Sequence, residues 1–260
     1  MDNQNIEELA NTIMWWLSYI TSVGRNYLLS EGAIRFPISE YLENLKKDND
    51  KLTLEFPHPQ FPQKRLDLCF QKYKAESDVF ECTAFEFKYI KNGSTRSIEA
   101  KQNIFNDLMR LHFFLDENSK GYFLICGNQD KFRQDFQTLL LKPKNADESG
   151  FQSPRFKNNP IRNIQAEGFY TEWFSFDNEN PIKIIDLTTD NSDYNKIYLN
   201  FINEYTKAYK NGEEKLTLPS QINTNLVFIS GDITQPNGSF LPSKIAIWEI
   251  TKTTRFLLFS

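Results

Sequence analysis

Apolar residues recur at three- and four-residue spacing near the start of the chain: Ile6, Leu9, Ile13, Trp16, Leu17, Ile20 and Val23. That spacing lines one face of an α-helix and predicts a single long helix over residues 5–28. Pro37 interrupts the next segment. Ser39 is placed to cap a short helix, SEYLENLKK, with acids early and lysines late, as the helix dipole prefers. The period then drops to two. Leu52, Leu54 and Phe56 alternate with polar residues, as do Leu66, Leu68 and Phe70, and each set predicts a strand with one apolar face. The prolines of PHPQFPQK exclude regular structure between those strands. The polar stretch QKYKAESD connects to a longer strand over residues 79–90.

A helix is predicted over residues 97–115, with Ile104, Phe105, Leu108, Leu111 and Leu115 on its buried face. Tyr122 to Cys126 is wholly apolar, which marks an interior strand covered on both faces. A strand, a helix and a buried strand in succession imply a parallel crossover. Residues 183–187, 226–230 and 244–250 read as strands. Residues 194–210 read as a helix, with Ile197, Phe201, Tyr205 and Tyr209 at fourfold spacing, and residues 143–166 read as a loop. The adjacent Trp15 and Trp16 cannot both face one core, so one is expected at a partner surface or in peripheral packing. The order helix, three strands, helix, strand occupies residues 1–140; residues 141–260 form a C-terminal extension expected to pack on it.

Composition narrows the function. Hydrophobic residues are 40% of the chain and include 23 Phe, enough to fill a core and to set disorder aside. No apolar run approaches the ~20 residues a membrane span needs. The acidic, polar start MDNQNIEEL has no secretory character, so a cytoplasmic location is expected. Cys69, Cys82 and Cys126 lie in apolar runs without a CxxC pair and read as reduced core thiols. His58 and His112 stand at no ligand spacing, which argues against zinc and against histidine-based catalysis. A net charge of −4 is not that of a protein coating nucleic acid by bulk charge, so phosphate contacts must come from local basic patches. With 10 Gly and no Gly-rich phosphate loop, a nucleotide-binding enzyme finds no support.

The informative stretches are RLDLCF and FECTAFEFKYIK. On the second, Phe80, Cys82, Ala84, Glu86, Lys88 and Ile90 point the same way. That face begins apolar and then carries a carboxylate beside an ammonium. Burying either unpaired would cost several kcal/mol. A core strand whose end opens into a charged cleft fits this pattern. If the neighbouring strands pair as a hairpin, Asp67 lies across from Glu86. Two carboxylates so close repel unless a positive group sits between them. Mg²⁺, a hard ion that retains several waters, is the natural occupant. Lys88 can then orient or deprotonate a metal-activated water, or hold a phosphate.

An Asp followed by Glu-x-Lys on the next strand resembles the PD-(D/E)XK nuclease superfamily, which includes restriction endonucleases. The resemblance covers roughly residues 31–127; Leu66 stands where the family name has Pro. It implies an α/β fold with a restriction-endonuclease-like core, αβββαβ, its mixed central sheet flanked by helices, and a mixed α+β C-terminal extension. It implies Asp67 and Glu86 as ligands of Mg²⁺ (or Mn²⁺), Lys88 as the catalytic lysine, and DNA as substrate, with a homodimer by analogy. The family's helix carboxylate falls on Glu40 or Glu31, with Glu43 third. Its polar residue on the following helix falls best on Gln102. Lys91, Arg96 and Lys101 are candidates for phosphate contacts, and Arg155, Lys157 and Arg162, interleaved with Phe151 and Phe156, for a second patch. Asp107 and Arg110, three apart, read as a surface ion pair worth ~0.3 kcal/mol. A non-catalytic module on the same fold, binding nucleic acid or a protein, is the competing expectation.

Overall fold

A computed structural model describes residues 1–90, 95, 97–137, 169–188, 192–209, 216, 218–232 and 242–252. In chain order its elements are α1 (Asn3–Ser22), α2 (Glu31–Leu45), β1 (Lys51–Pro57), β2 (Arg65–Lys74), β3 (Val79–Ile90), α3 (Ile98–Phe114) and β4 (Ser119–Asn128). They continue with α4 (Gln129–Phe132), α5 (Phe169–Trp173), β5 (Ile182–Asp186), α6 (Ser192–Tyr205), β6 (Gln221–Ile229) and β7 (Ser243–Thr251). The strands form one 7-stranded sheet in the order β1-β2-β3-β4-β7-β6-β5. β3 and β4 are parallel across the α3 crossover, and the other neighbours are antiparallel. The sheet does not stop at residue 140, because β7 adds to the free edge of β4 and carries β6 and β5 with it.

Helices cover both faces. On one, Ile6, Leu9, Ile13 and Leu17 of α1 and Ile34, Ile38 and Leu42 of α2 pack on Phe85, Phe87, Tyr122, Leu124 and Ile247. On the other, Ile104, Phe105, Leu108 and Leu111 of α3, with Trp173 and with Phe201 and Tyr205 of α6, pack on Ala84, Phe123, Ile125 and Trp248. β4 is covered on both sides, as its apolar run requires: Phe123 and Ile125 look one way, Tyr122 and Leu124 the other. Trp16 packs against the α1–α2 core, whereas Trp15 is 72% exposed and stacks on Tyr19. No helix among the described residues is long and apolar enough to cross a membrane.

Two local expectations are corrected. The break at Pro37 does not occur. α2 starts at Glu31, capped by the Ser30 hydroxyl accepting from the Ala33 amide at 3.2 Å, and runs through a buried Pro37. The lost hydrogen bond and ring clash of an interior proline cost about 3 kcal/mol. The apolar stripe of Ile34, Ile38 and Leu42 spans the proline and offsets that cost by burial. α1 likewise ends at Ser22 rather than 28, and Gly24 follows at φ +70.

The single apolar face expected on β1 and β2 is broken near Asp67. Leu66 packs in the α3 core while Leu68 and Phe70 pack in the α1–α2 core, and Leu54 is exposed. The β1–β2 ladder passes from Leu54↔Leu68 to Phe56↔Leu66, leaving out Glu55, whose φ is +50, and Asp67. The strands therefore change face at Asp67, and its side chain leaves the regular alternation.

Gly127, at φ +155 where β4 meets Ile90 of β3, allows close strand approach. A Cβ there would lie 2.6 Å from the Ile90 carbonyl oxygen. Gly127→Ala should therefore lower unfolding free energy in urea by about 2 kcal/mol or more. Gly24→Ala, with open space around it, should cost only the left-handed backbone, about 1 kcal/mol.

Candidate active site

The side chains picked out on β2 and β3 gather where the ladder between the strands ends. The last paired rung is Leu68↔Phe85, so one step further places Asp67 across from Glu86. With no main-chain rung there, the Asp67 carboxylate supplies one: its Oδ2 accepts from the Phe87 amide at 2.9 Å. Its Oδ1 accepts from Arg35 Nη2 at 2.8 Å, and Arg35 Nη1 pairs with Glu55 at 2.5 Å.

Glu86 is 1% exposed. Arg110 of α3 reaches it, Nε to Oε1, at 2.7 Å. Arg110 Nη2 holds Asp107 Oδ1 at 2.5 Å, and Nη1 donates to the Tyr205 hydroxyl of α6 at 3.0 Å. Lys88 Nζ pairs with Asp107 Oδ2 at 2.9 Å and with Glu31 Oε1 at 3.3 Å. One ion-pair chain thus runs Glu31, Lys88, Asp107, Arg110, Glu86, from the half-open end of α2 into the core. Its members come from both helical layers and from the strand between them.

Burial sets the electrostatics. Removal from water pushes the Glu86 carboxyl well above its ordinary range, against the pull of Arg110. Burial also pushes Glu31 upward, and Lys88 only partly offsets it. Burial alone would lower Lys88, but Asp107, Glu31 and Asp67 outweigh it and hold the ammonium above its usual value. Among the described residues the ion pairs form two groups: Arg35 with Glu55 and Asp67, and Lys88 and Arg110 with Glu31, Asp107 and Glu86.

Asp67 and Glu86 are the candidate ligands for a divalent cation. Among the described residues no three His, Cys, Asp or Glu side chains are grouped as they would be around a closed metal site. Mg²⁺ does not need such a group, since it binds through one or two carboxylates and keeps its waters. Asp67 and Glu86 fit that mode. Arg110 occupies Glu86 Oε1 only, and each Asp67 oxygen retains a lone pair beyond its one hydrogen bond.

Several expected positions are not part of this cluster. Glu40 is exposed on α2 and meets none of its members. The helix carboxylate that reaches Lys88 is Glu31, because α2 begins at Ser30 and not at Ser39. Gln102 ties α3 to α6, donating through Nε2 to Asn106 Oδ1 at 2.9 Å and to the Ile197 carbonyl at 3.1 Å. Lys101 is 6% exposed, and its charge acts on Glu172 of α5. Lys91, Arg96, Phe151, Arg155, Phe156, Lys157 and Arg162 lie outside the described residues. Asp107 and Arg110, expected as a surface pair, lie at the centre of the cluster, Asp107 buried and Arg110 partly buried. Their position in FNDLMRLHFF was the available signal: they are the only formal charges in a run of mostly apolar residues. Arg35 and Tyr205 carried no comparable signal.

His58 supports the cluster from outside. Its Nδ1 accepts from the Gln60 and Phe61 amides at 3.1 and 3.2 Å, which leaves Nε2 to donate to the Arg110 carbonyl at 2.9 Å. The proline-rich loop is thereby fastened to α3, with Phe61 wedged edge-on against Tyr205 and Phe113.

Comparison with known protein families, curated proteins and solved structures gave no match to this chain. The functional reading therefore rests on the geometry of the cluster.

Both histidines are buried and neutral, and burial pushes each down to about 4. The unfolded value is near 6.5. Between those values the unfolded chain binds more protons, so the stability is complete above pH 6.5 and falls as pH drops toward 4. Urea denaturation at pH 7.5 and 5.0 should show a loss of about 2 kcal/mol per histidine, at about 1.4 kcal/mol per pH unit. The loss should be about 2 kcal/mol smaller in His112→Gln, the opposing proton uptake of Glu86 and Glu31 being common to both proteins.

Proposed function

We propose that the chain is a divalent-cation-dependent nuclease that hydrolyses phosphodiester bonds, with DNA as its substrate. The observation that carries this reading is the placing of Asp67, one step past the last β2–β3 rung, across from Glu86, near enough for its charge to act on both Glu86 and Lys88. The sequence of elements α2-β1-β2-β3-α3-β4, with a mixed sheet, supports it, because it is the order implied by the resemblance to PD-(D/E)XK nucleases. Asp67 and Glu86 would hold Mg²⁺. Such an ion, when bound, lowers the pKa of its water and stabilises charge on a phosphoryl oxygen.

The residues of the chain divide the remaining work. Lys88 is held protonated by Asp107 and Glu31, which suits a fixed positive charge against the scissile phosphate better than a proton acceptor. Glu31, half-open at the first turn of α2, fixes the direction of the ammonium. Glu86, a carboxylate with raised proton affinity, gains more from a metal counter-ion than an exposed one does.

A second reading has one observation in its favour. Every carboxylate of the cluster already has a basic partner, so the network can serve as a structural core polar array in a module that binds without cutting.

Plasmid and single-stranded DNA should be cut in Mg²⁺ or Mn²⁺, with loss of about 100-fold or more in Asp67→Ala and Lys88→Ala, the scale of one lost electrostatic group. Glu31→Gln should slow cleavage and Glu40→Gln should leave it unchanged. Mg²⁺ should raise the unfolding temperature of the wild type and not of Asp67→Ala. A wild type that cuts no nucleic acid and shows no Mg²⁺ stabilisation would favour the structural reading.

A further inference from the structure

Arg110 has no role in the hydrolysis itself, yet it is the most connected side chain in the cluster. All three of its donor groups are committed: Nε to Glu86, Nη2 to Asp107, Nη1 to Tyr205. Its carbonyl is held by His58. A guanidinium is planar and rigid, so fixing one edge fixes the direction of the others. By taking Glu86 Oε1 alone, it sets the plane of the carboxylate and the direction in which Oε2 faces. By taking Asp107 Oδ1, it sets where Oδ2 meets Lys88.

Tyr205 lies ninety-five residues further along the chain than Arg110. It is fully buried, stacked on Phe201 with ring centroids 4.1 Å apart, and met edge-on by Phe61. A ring so enclosed has little freedom, which makes its hydroxyl a fixed point for the guanidinium. A phenylalanine would fill the same volume. The hydroxyl is therefore not needed for packing, and Arg110 is its hydrogen-bond partner.

We propose that Tyr205 and Arg110 are positioning residues through which α6, in the C-terminal half, fixes the orientation of Glu86 and Lys88. The functional part rests on the nuclease reading; the mechanical part does not. Glu86 and Tyr205 share no hydrogen bond, so any energetic dependence between them passes through Arg110.

A double-mutant cycle in urea tests the mechanical part without reference to catalysis. Tyr205→Phe and Glu86→Gln are both near-isosteric. Their combined effect on the unfolding constant should depart from the product of the single effects by about threefold or more, the range for residues in one network. The departure should vanish in an Arg110→Met background. Simple multiplication of the two effects overturns the proposal, whatever the cleavage assays show. Calorimetric titration with Mg²⁺ and steady-state cleavage give the functional part. Tyr205→Phe should weaken Mg²⁺ binding and lower kcat, each about threefold to tenfold, at unchanged KM, and Arg110→Lys should not restore either. Full Mg²⁺ affinity and kcat in Tyr205→Phe overturn the functional part. A wild type inert to Mg²⁺ and to DNA defeats the nuclease reading and with it that part, and leaves the cycle to decide the mechanical one.

Discussion

The ion pair between Glu86 and Arg110 is the constraint around which the rest of the cluster is arranged. A carboxylate almost wholly removed from water, in the middle of a sheet, is tolerable only with a charged partner in good geometry. Arg110 brings that partner from α3, and its remaining donors reach α6 and the next carboxylate. Each added charge calls for another: Arg110 for Asp107, Asp107 for Lys88, Lys88 for Glu31. The chain ends where α2 reaches solvent. Removing any inner member would leave an uncompensated buried charge, which typically costs 3–5 kcal/mol.

The second constraint is the break in the ladder at Asp67. A regular strand would have kept Leu66 and Leu68 on one face. Because β1 and β2 skip a rung there, the Asp67 carboxylate takes the place of the main chain against the Phe87 amide, one step from Glu86 along β3. Irregular pairing is thus what brings the two acids to one place, and Glu55 at positive φ shares the distortion.

The strands β1 to β4 were legible in the sequence because they obey local rules. Period-two alternation marked β1 to β3, an apolar run marked the doubly covered β4, and charges at the end of an otherwise apolar face marked Glu86 and Lys88. What it did not show depends on residues far apart in the chain. Pro37 reads locally as a helix end, and only the burial of Ile34, Ile38 and Leu42 carries α2 through it. With the helix start misplaced, the choice between Glu40 and Glu31 stayed open, and in the structure it is Glu31 that reaches Lys88. Gln102 and Lys101 were assigned by position on α3, whose faces are settled by α5 and α6, elements more than sixty residues away. Arg35 and Tyr205 acquire their roles only by crossing from one layer to another, which no local pattern encodes.

The proposed nuclease reading requires that Asp67 and Glu86 hold a divalent ion. Crystals of the full chain soaked with Mn²⁺ and measured for anomalous scattering test it directly. A peak within coordination distance of both carboxylates is the predicted result. Occupancy elsewhere, or no peak with the guanidinium of Arg110 and that of Arg35 still seated on the two acids, would contradict it.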